Sequence, residues 1–459
     1  MNKQQLASKI WESANKMRSK IEANEYNDYI LGFIFYKFLS DQEERYLEGE
    51  GWDEEYMKIY LREEYDEELF DEDYTEKEHK DVVEGIQKKL SYFISYDHLF
   101  STWLKKESDF NVADVRDALS AFNRLINSTH KNVFDKIFDT LQTGLSKLGE
   151  NATSQTKAIS DLLQLIKDIP MDKKQDYDVL GFIYEYLIQN FAANAGKKAD
   201  EFSPMGVSVL KFLIVAEHLK DRPEIKIYDP TSGSGSLLIN IGKAAAKYLG
   251  DENRIKYYAQ ELKENTYNLT RMNLVMRGVR PDNIVVRNGD TLEDDWPFFE
   301  EDDPKGTYDP LYVDAVVSNP PYSLTWENSG KESDPRFSPF GLAPKSKADY
   351  AFLLHSLYHL KPDGIMTIIL PHGVLFRGGE EGVIRKNLIE RNHIDAIIGL
   401  PQNLFFGTQI PTVIISLMQN REERDDVLII DASNGYEKVG KNNKKSIFYD
   451  YVIGKKEVV

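Results

Sequence analysis

Asn319-Pro320-Pro321-Tyr322 is the stretch whose residue types and spacing most directly imply chemistry. It follows Asp314-Ala315-Val316-Val317-Ser318, a run that reads as a buried strand. At about 1 in 20 per position, an exact four-residue string arises by chance in under about 1% of chains this long. An amide, two rigid prolines and an aromatic ring at a strand's C-terminal end suit a planar group that carries an NH2. The Asn319 oxygen and the adjacent Pro320 carbonyl can each accept one N–H, and the Tyr322 ring offers a stacking face. These residues point to a transferase acting on an exocyclic or amide nitrogen.

Three other strand ends offer a cofactor site. An apolar run leads into Asp229-Pro230-Thr231-Ser232-Gly233-Ser234-Gly235-Ser236, whose glycines allow a tight turn close to a ligand. The helix expected from Ser236 to Leu249 would point its positive end there. The pattern D-P-x-x-G-x-G differs from the dinucleotide G-x-G-x-x-G, and S-adenosylmethionine, with its carboxylate and sulfonium, fits it better than a pyrophosphate does. A plain strand-to-helix turn is the alternative. Tyr258-Ala259-Gln260-Glu261 places a carboxylate where both ribose hydroxyls of an adenosine could be taken, although glutamate is also common on surfaces. Asn288-Gly289-Asp290-Thr291 ends a third run, and Asp290 could accept from an adenine amino group or simply form an Asx turn.

These ends must be carried by a sheet. From Ile225 onward, short apolar runs alternate with helical stretches, the mark of a parallel sheet with helices on both faces. Strands are expected at Ile225–Tyr228, Lys256–Gln260, Asn283–Arg287, Ala315–Ser318, Ile365–Leu370, Asp395–Gly399 and Thr412–Met418. Seven strands so arranged suit an α/β, doubly wound fold with its ligands beyond the strands' C-terminal ends. Residues 1–168 read instead as an all-helical N-terminal domain. Helical spacing runs from Ala7 to Ile21, Tyr29 to Leu39 is densely apolar, and further helices are expected at Val112–Asn127, Val133–Leu148 and Ser154–Lys167. Asp168-Ile169-Pro170 stops the last of these, which puts the second domain at 169–459; a helix from about Tyr177 to Ala193 then leads into a polar turn, Asn194 to Asp200.

With 41% hydrophobic and 29% charged residues, the composition is that of a soluble globular protein, and no apolar stretch reaches membrane-span length. The chain has no cysteine, which fits a cytoplasmic location. It also excludes cytosine C5 methylation, which needs a thiolate adduct, and any Cys-rich zinc site. No HExxH or P-loop spacing is present and no metal is expected. The net charge of −19 argues against nucleic acid until its distribution is seen: residues 41–80 hold 18 acids against 5 bases. That segment is expected to be a solvated loop and helix face, leaving the remainder free to present a basic groove.

Taken in order, D-P-x-x-G-x-G, Q-E, G-D-T-L and N-P-P-Y resemble the S-adenosylmethionine-dependent N6-adenine DNA methyltransferases, and most closely the modification subunit of type I restriction-modification systems. Three more strings carry the resemblance: Pro344-Lys345-Ser346-Lys347-Ala348-Asp349-Tyr350-Ala351-Phe352, Leu370-Pro371-His372-Gly373-Val374-Leu375-Phe376-Arg377-Gly378-Gly379, and Gly399-Leu400-Pro401. The resemblance implies the S-adenosylmethionine-dependent methyltransferase fold, with the cofactor held by Phe202, Pro204, Asp229, Thr231, Gly233, Gly235, Ser236, Glu261 and Asp290. It implies catalysis by Asn319, Pro320, Pro321 and Tyr322. The adenine would be flipped out of the duplex; Phe405 or Phe406 is a candidate for its second face, with a core role as the alternative. His372 reads as shaping a loop, not as a general base.

The resemblance also implies partners: DNA, a specificity subunit that reads the target, a second copy of the modification subunit and, for restriction, a motor subunit. The N-terminal helices are the natural place for subunit contacts. Two departures stand out. Asp200-Glu201-Phe202-Ser203-Pro204 is one residue shorter than the family's G-E-F-Y-T-P, so a helix cap at Ser203 is the competing reading. The chain stops at Val459, so a C-terminal helical tail is expected to be shortened or missing. Rival functions are a self-sufficient adenine methyltransferase, a protein-glutamine methyltransferase, since N-P-P-Y suits any amide, and a non-catalytic assembly subunit.

Overall fold

The computed structural model describes residues 26–171, 214–295 and 311–402, most of 404–446, and a few isolated positions before and between these stretches. The chain divides into two compact units, Met1–Ala195 and Gly196–Val459. Among the described residues no helix is long and apolar enough to cross a membrane.

In the first unit the described elements are helical: α1 (Tyr26–Gly49), α2 (Glu54–Tyr60), α3 (Glu76–Leu90), α4 (Phe100–Lys105), α5 (Val112–Arg124), α6 (Lys131–Phe134), α7 (Asp139–Gly144) and α8 (Ala152–Ile166). Starts are set by side chains: Thr75, Asn111 and Asn151 form capping boxes. The helix expected over Val133–Leu148 is instead broken, because the chain turns at Lys136, which is left-handed (φ 55°). That turn lets Phe134 meet Tyr92 and Phe122 while Phe138 meets Phe35, Tyr36 and Phe122. Aromatic packing overrides the helical period here. The acidic run is largely exposed, as expected, with one correction. Glu43 is fully buried and accepts the Ile94 N–H at 2.9 and 3.1 Å, and burial pushes its carboxyl well up.

The second unit is built on an eight-stranded sheet: β1 (Ile225–Asp229), β2 (Ile255–Glu261), β3 (Ile284–Asn288), β4 (Val313–Ser318), β5 (Leu360–Pro371), β6 (Ile394–Gly399), β7 (Thr412–Met418) and β8 (Leu428–Asp431). Their order is β3-β2-β1-β4-β5-β7-β6-β8, and a separate hairpin joins β9 (Tyr436–Val439) to β10 (Asn443–Ser446). Its helices include α9 (Ser236–Leu249), α10 (Glu264–Met276), α11 (Asp349–Tyr358) and α12 (Glu380–Glu390). All seven expected strands are present. The sheet departs from the all-parallel expectation at β7, which is antiparallel to both β5 and β6. No helix intervenes between β6 and β7 among the described residues, and parallel pairing needs a crossover. The strand β8, with its exposed Leu428 and Ile429, gave no buried-strand signal.

Alternation along the strands sorts the core onto two faces. Met366, Ile368, Leu370, Ile415 and Leu417 pack with α11, which is buried from Asp349 to Leu357. Ile369, Ile398 and Ile414 form the second cluster, and Tyr322 packs against it.

Candidate functional site

Strand order reverses direction at β1: β2 and β3 lie on one side and β4 on the other. At such a switch point the loops from adjacent strands part and leave a crevice. The D-P-x-x-G-x-G turn and the N-P-P-Y turn leave the paired strands β1 and β4 side by side. The Thr231 and Ser318 hydroxyls, 2.9 Å apart, tie the two turns together.

The first turn has the geometry its glycines predict. Gly233 and Gly235 are left-handed (φ 54° and 76°), a conformation that L side chains rarely adopt. A Cβ at Gly233 would meet no atom within 4 Å, so the space beside the turn is open. Gly235 caps α9, whose N-terminus faces the turn and begins with Ser236, bonded to Ser234. Asp229 is fully buried and accepts the Thr231 N–H at 3.0 Å, which folds the turn back on itself. Glu261, at the end of β2, accepts backbone N–H groups from Gly233 (3.1 Å) and Lys263 (3.0 Å). Asp290 accepts the Leu292 N–H at 2.9 Å, so the Asx turn named as its alternative is present. Carboxylates that can accept from hydroxyl and amine groups, backbone N–H groups and a helix N-terminus together fit the chemistry of an aminoacyl nucleoside.

On the other turn, Asn319 is 8% exposed and Pro320 is buried, while Pro321 is exposed. The Tyr322 hydroxyl donates to Asn319 Oδ1 at 2.8 Å. Asn319 Nδ2 is buried without a protein hydrogen-bond partner. The acceptor, the proline carbonyl and the aromatic face thus lie together at one strand end. Phe202, Ser203, Pro204, Phe405 and Phe406 lie outside the described residues, as does most of the helix expected at Tyr177–Ala193. His372 is exposed, and its ring meets Phe376 edge-on.

Behind this crevice lies a network that sequence reasoning missed. Arg336, 3% exposed, donates to Thr291 O (3.0 Å), Leu292 O (3.2 Å), Asp334 and His355 Nδ1 (3.1 Å). Burial pushes the His355 imidazole far below its usual range, so the ring is neutral. Arginine can only donate, so Nδ1 accepts and the ring proton sits on Nε2, 3.0 Å from the Tyr228 hydroxyl. That hydroxyl passes on to Gln260 Oε1 at 3.1 Å, and Gln260 Nε2 reaches Asp294 O at 2.9 Å. Tyr228, Gln260 and Thr291 each sit beside a candidate cofactor residue, so the loops are fixed from behind. Tyrosine, glutamine and histidine within apolar runs were the only sequence signal.

Asp295, His355 and His359 bring one ligand-type atom each to within 4.8 Å of one another. The Arg336 guanidinium stands among them, 3.8 Å from Asp295 Oδ1, and would repel a cation. His359 is committed to Leu311 O (2.7 Å) and Asp295 Oδ1 (2.9 Å). Burial alone would raise Asp295; the bond from His359 and the charges around it outweigh that and hold its carboxyl well below the usual range.

A doubly wound sheet with a glycine turn after β1, acids after β2 and β3, and N-P-P-Y after β4 defines an S-adenosylmethionine-dependent methyltransferase acting on a nitrogen. Comparison with known proteins narrows the class. The N-6 DNA methylase family matches residues 175–452 and the HsdM N-terminal domain matches residues 6–166. The chain belongs to the N-6 DNA methylase family and is an adenine-specific DNA methyltransferase. It is 35% identical to the type I restriction enzyme MpnII methylase subunit of Mycoplasma pneumoniae, over 95% of this chain and 80% of that one. It is 28% identical to the MjaIX methylase subunit of Methanocaldococcus jannaschii, over 95% and 73%. The crystal structure of a type I restriction-modification methyltransferase subunit from Streptococcus thermophilus superposes with a TM-score of 0.84 at 38% identity, covering 100% of this chain and 93% of that one.

Proposed function

We propose that this chain is the modification subunit of a type I restriction-modification complex, and that it methylates N6 of a flipped-out adenine at the crevice between β1 and β4. The observation that supports this most is the N-P-P-Y turn, with the Asn319 oxygen, the Pro320 carbonyl and the Tyr322 ring at one strand end. Asp229, Thr231, Gly233, Gly235, Ser236, Glu261 and Asp290, with Phe202 and Pro204, would hold S-adenosylmethionine, which supplies an electrophilic methyl group on a sulfonium. The adenine N6 is a poor nucleophile because its lone pair is delocalised into the ring. Asn319 Oδ1 and the Pro320 carbonyl accept its two hydrogens, favour a pyramidal nitrogen and aim the lone pair. Both carbonyls only accept hydrogen bonds from the N6 amino group, and one of its protons passes to solvent after transfer. Tyr322 stacks on the base, and Pro321 stiffens the turn. Positioning and matched dipoles supply the rate.

Residues 1–168 form the subunit-contact domain in this reading, and residues 169–459 the catalytic one. DNA, a specificity subunit, a second modification subunit and a restriction motor subunit are the partners, in the cytoplasm. The test is a map of N6-methyladenine across the native host's genome, in wild type and in Asn319→Ala. Loss of methylation at one split motif in the variant is expected, with the purified variant's S-adenosylmethionine affinity within a few-fold of wild type. Loss at a short continuous motif would instead indicate a self-sufficient enzyme, and an unchanged map would overturn the reading.

A further inference from the structure

Two of the three strings that carry the family resemblance, 344–352 and 370–379, do not line the crevice by any role assigned above. In the fold they dock on each other and on the N-P-P-Y turn. Ser323, which follows Tyr322, is left-handed (φ 53°), a conformation costly for a residue with a side chain. Its N–H donates to Asp349 Oδ1 at 2.8 Å. Asp349 is fully buried, and its second oxygen accepts Arg377 Nη1 at 3.1 Å; the same nitrogen reaches Glu381 at 3.1 Å. A Cβ at Gly373 would sit 2.5 Å from the Arg377 guanidinium, so glycine there makes room for the arginine. Tyr350 adds a bond to Val374 O at 2.9 Å. Beyond Ser323 the chain is zipped to the first string: Ala348 N–H donates to Leu324 O (2.8 Å) and Trp326 N–H to Lys345 O (3.0 Å).

We infer that Asp349, oriented by Arg377, is a positioning residue that holds Ser323 left-handed and thereby sets where Asn319, Pro320 and Tyr322 meet the target base. This rests on the proposed function and deepens it. A buried carboxylate with one oxygen on a strained backbone N–H and the other on a cation has its direction set from both sides. Arg377 keeps the charge of Asp349 from being uncompensated, and Glu381 and Gly373 place Arg377. Asp349 is fully buried, with its oxygens on Ser323 and Arg377, so it acts through the turn, and its loss should change transfer and leave cofactor binding alone.

The experiment uses the complex purified from the native host through a tag on this chain, with genomic DNA from an Asn319→Ala strain as unmethylated substrate. Asp349→Ala is expected to lower kcat about 100-fold, the effect of roughly an ångström of misplacement, with the affinity for S-adenosylmethionine within about 3-fold. Asp349→Asn keeps an acceptor for the Ser323 N–H and should recover at least about 5-fold of that loss. The deciding variant is Ser323→Gly, which adopts the left-handed turn without strain. Added to Asp349→Ala, it should restore about 5-fold or more, which a general folding role for Asp349 could not explain. If Asp349→Ala is lost to misfolding, the same comparison is made with Asp349→Asn. A kcat within 3-fold of wild type for Asp349→Ala, or no rescue by Ser323→Gly, overturns the inference. A wild-type complex that transfers no methyl to adenine would sink the proposed function instead.

Discussion

Tyr322 combines two functions that substitution can separate. Its ring is the proposed stacking face for the base, and its hydroxyl donates to Asn319 Oδ1 at 2.8 Å. Tyr322→Phe removes only the hydroxyl. Asn319 is 8% exposed, so its oxygen loses a donor in a place water reaches poorly. A neutral hydrogen bond of this kind contributes about 1 kcal/mol, which lowers the transfer rate about 5-fold if the bond holds the amide in its working orientation. Tyr322→Ala also removes the stack, about 1–3 kcal/mol per base, so the combined loss is about 2–4 kcal/mol, or roughly 30- to 900-fold. The assay is single-turnover transfer of labelled methyl groups into unmethylated genomic DNA. Because Tyr322 also packs against Ile369, Ile398 and Ile414, thermal melting of both variants must accompany it. A Phe variant as damaged as the Ala variant would show that the ring does not stack on the base. An Ala variant within about twofold of wild type would refute both roles.

Three further outcomes are expected. Gly235→Ala forces a side chain into a left-handed turn and against Thr270 Cγ2 at 3.2 Å; at about 1–2 kcal/mol this weakens S-adenosylmethionine binding about 5- to 30-fold, and unchanged affinity by calorimetry would contradict the site. Arg336→Met leaves Asp334 and the carbonyls of Thr291 and Leu292 without their buried donor; about 3–5 kcal/mol of destabilisation is expected in denaturant melts, and a loss below about 1 kcal/mol would show that the network is dispensable. Burial lowers His355 in the folded protein, so protonation favours unfolding; its contribution is intact above the unfolded value of about 6.5 and is lost as pH falls below it. Melting temperatures between pH 8 and 5 should fall less steeply in His355→Gln than in wild type, and parallel slopes would count against a neutral buried ring.

The two long strings, 344–352 and 370–379, contain none of the proposed catalytic or cofactor-binding residues. In the inferred role their contribution is geometric: the Asp349–Arg377 pair and the zipped segment behind Trp326 brace the turn at left-handed Ser323.

What the sequence determined by itself was the inventory of strand ends. Apolar runs closed by turn residues located all seven expected strands, because short runs rich in apolar and β-branched residues signal a strand whether both faces are buried, as in β4, or only alternate residues, as in β6. Local rules also placed the turn at Gly233 and Gly235 and offered the Asx turn at Asp290 as one of two readings, since those conformations depend on adjacent residues. Tertiary structure decided what depends on distant partners. The sheet order that sets β1 beside β4 has no local cause, nor does the reversal of β7. The break at Lys136 serves aromatic contacts with Phe35, Tyr92 and Phe122, far along the chain. Arg336, His355 and Tyr228 each read as unremarkable polar residues until folding buries them together, where the low dielectric makes every unmade bond costly and so fixes their arrangement.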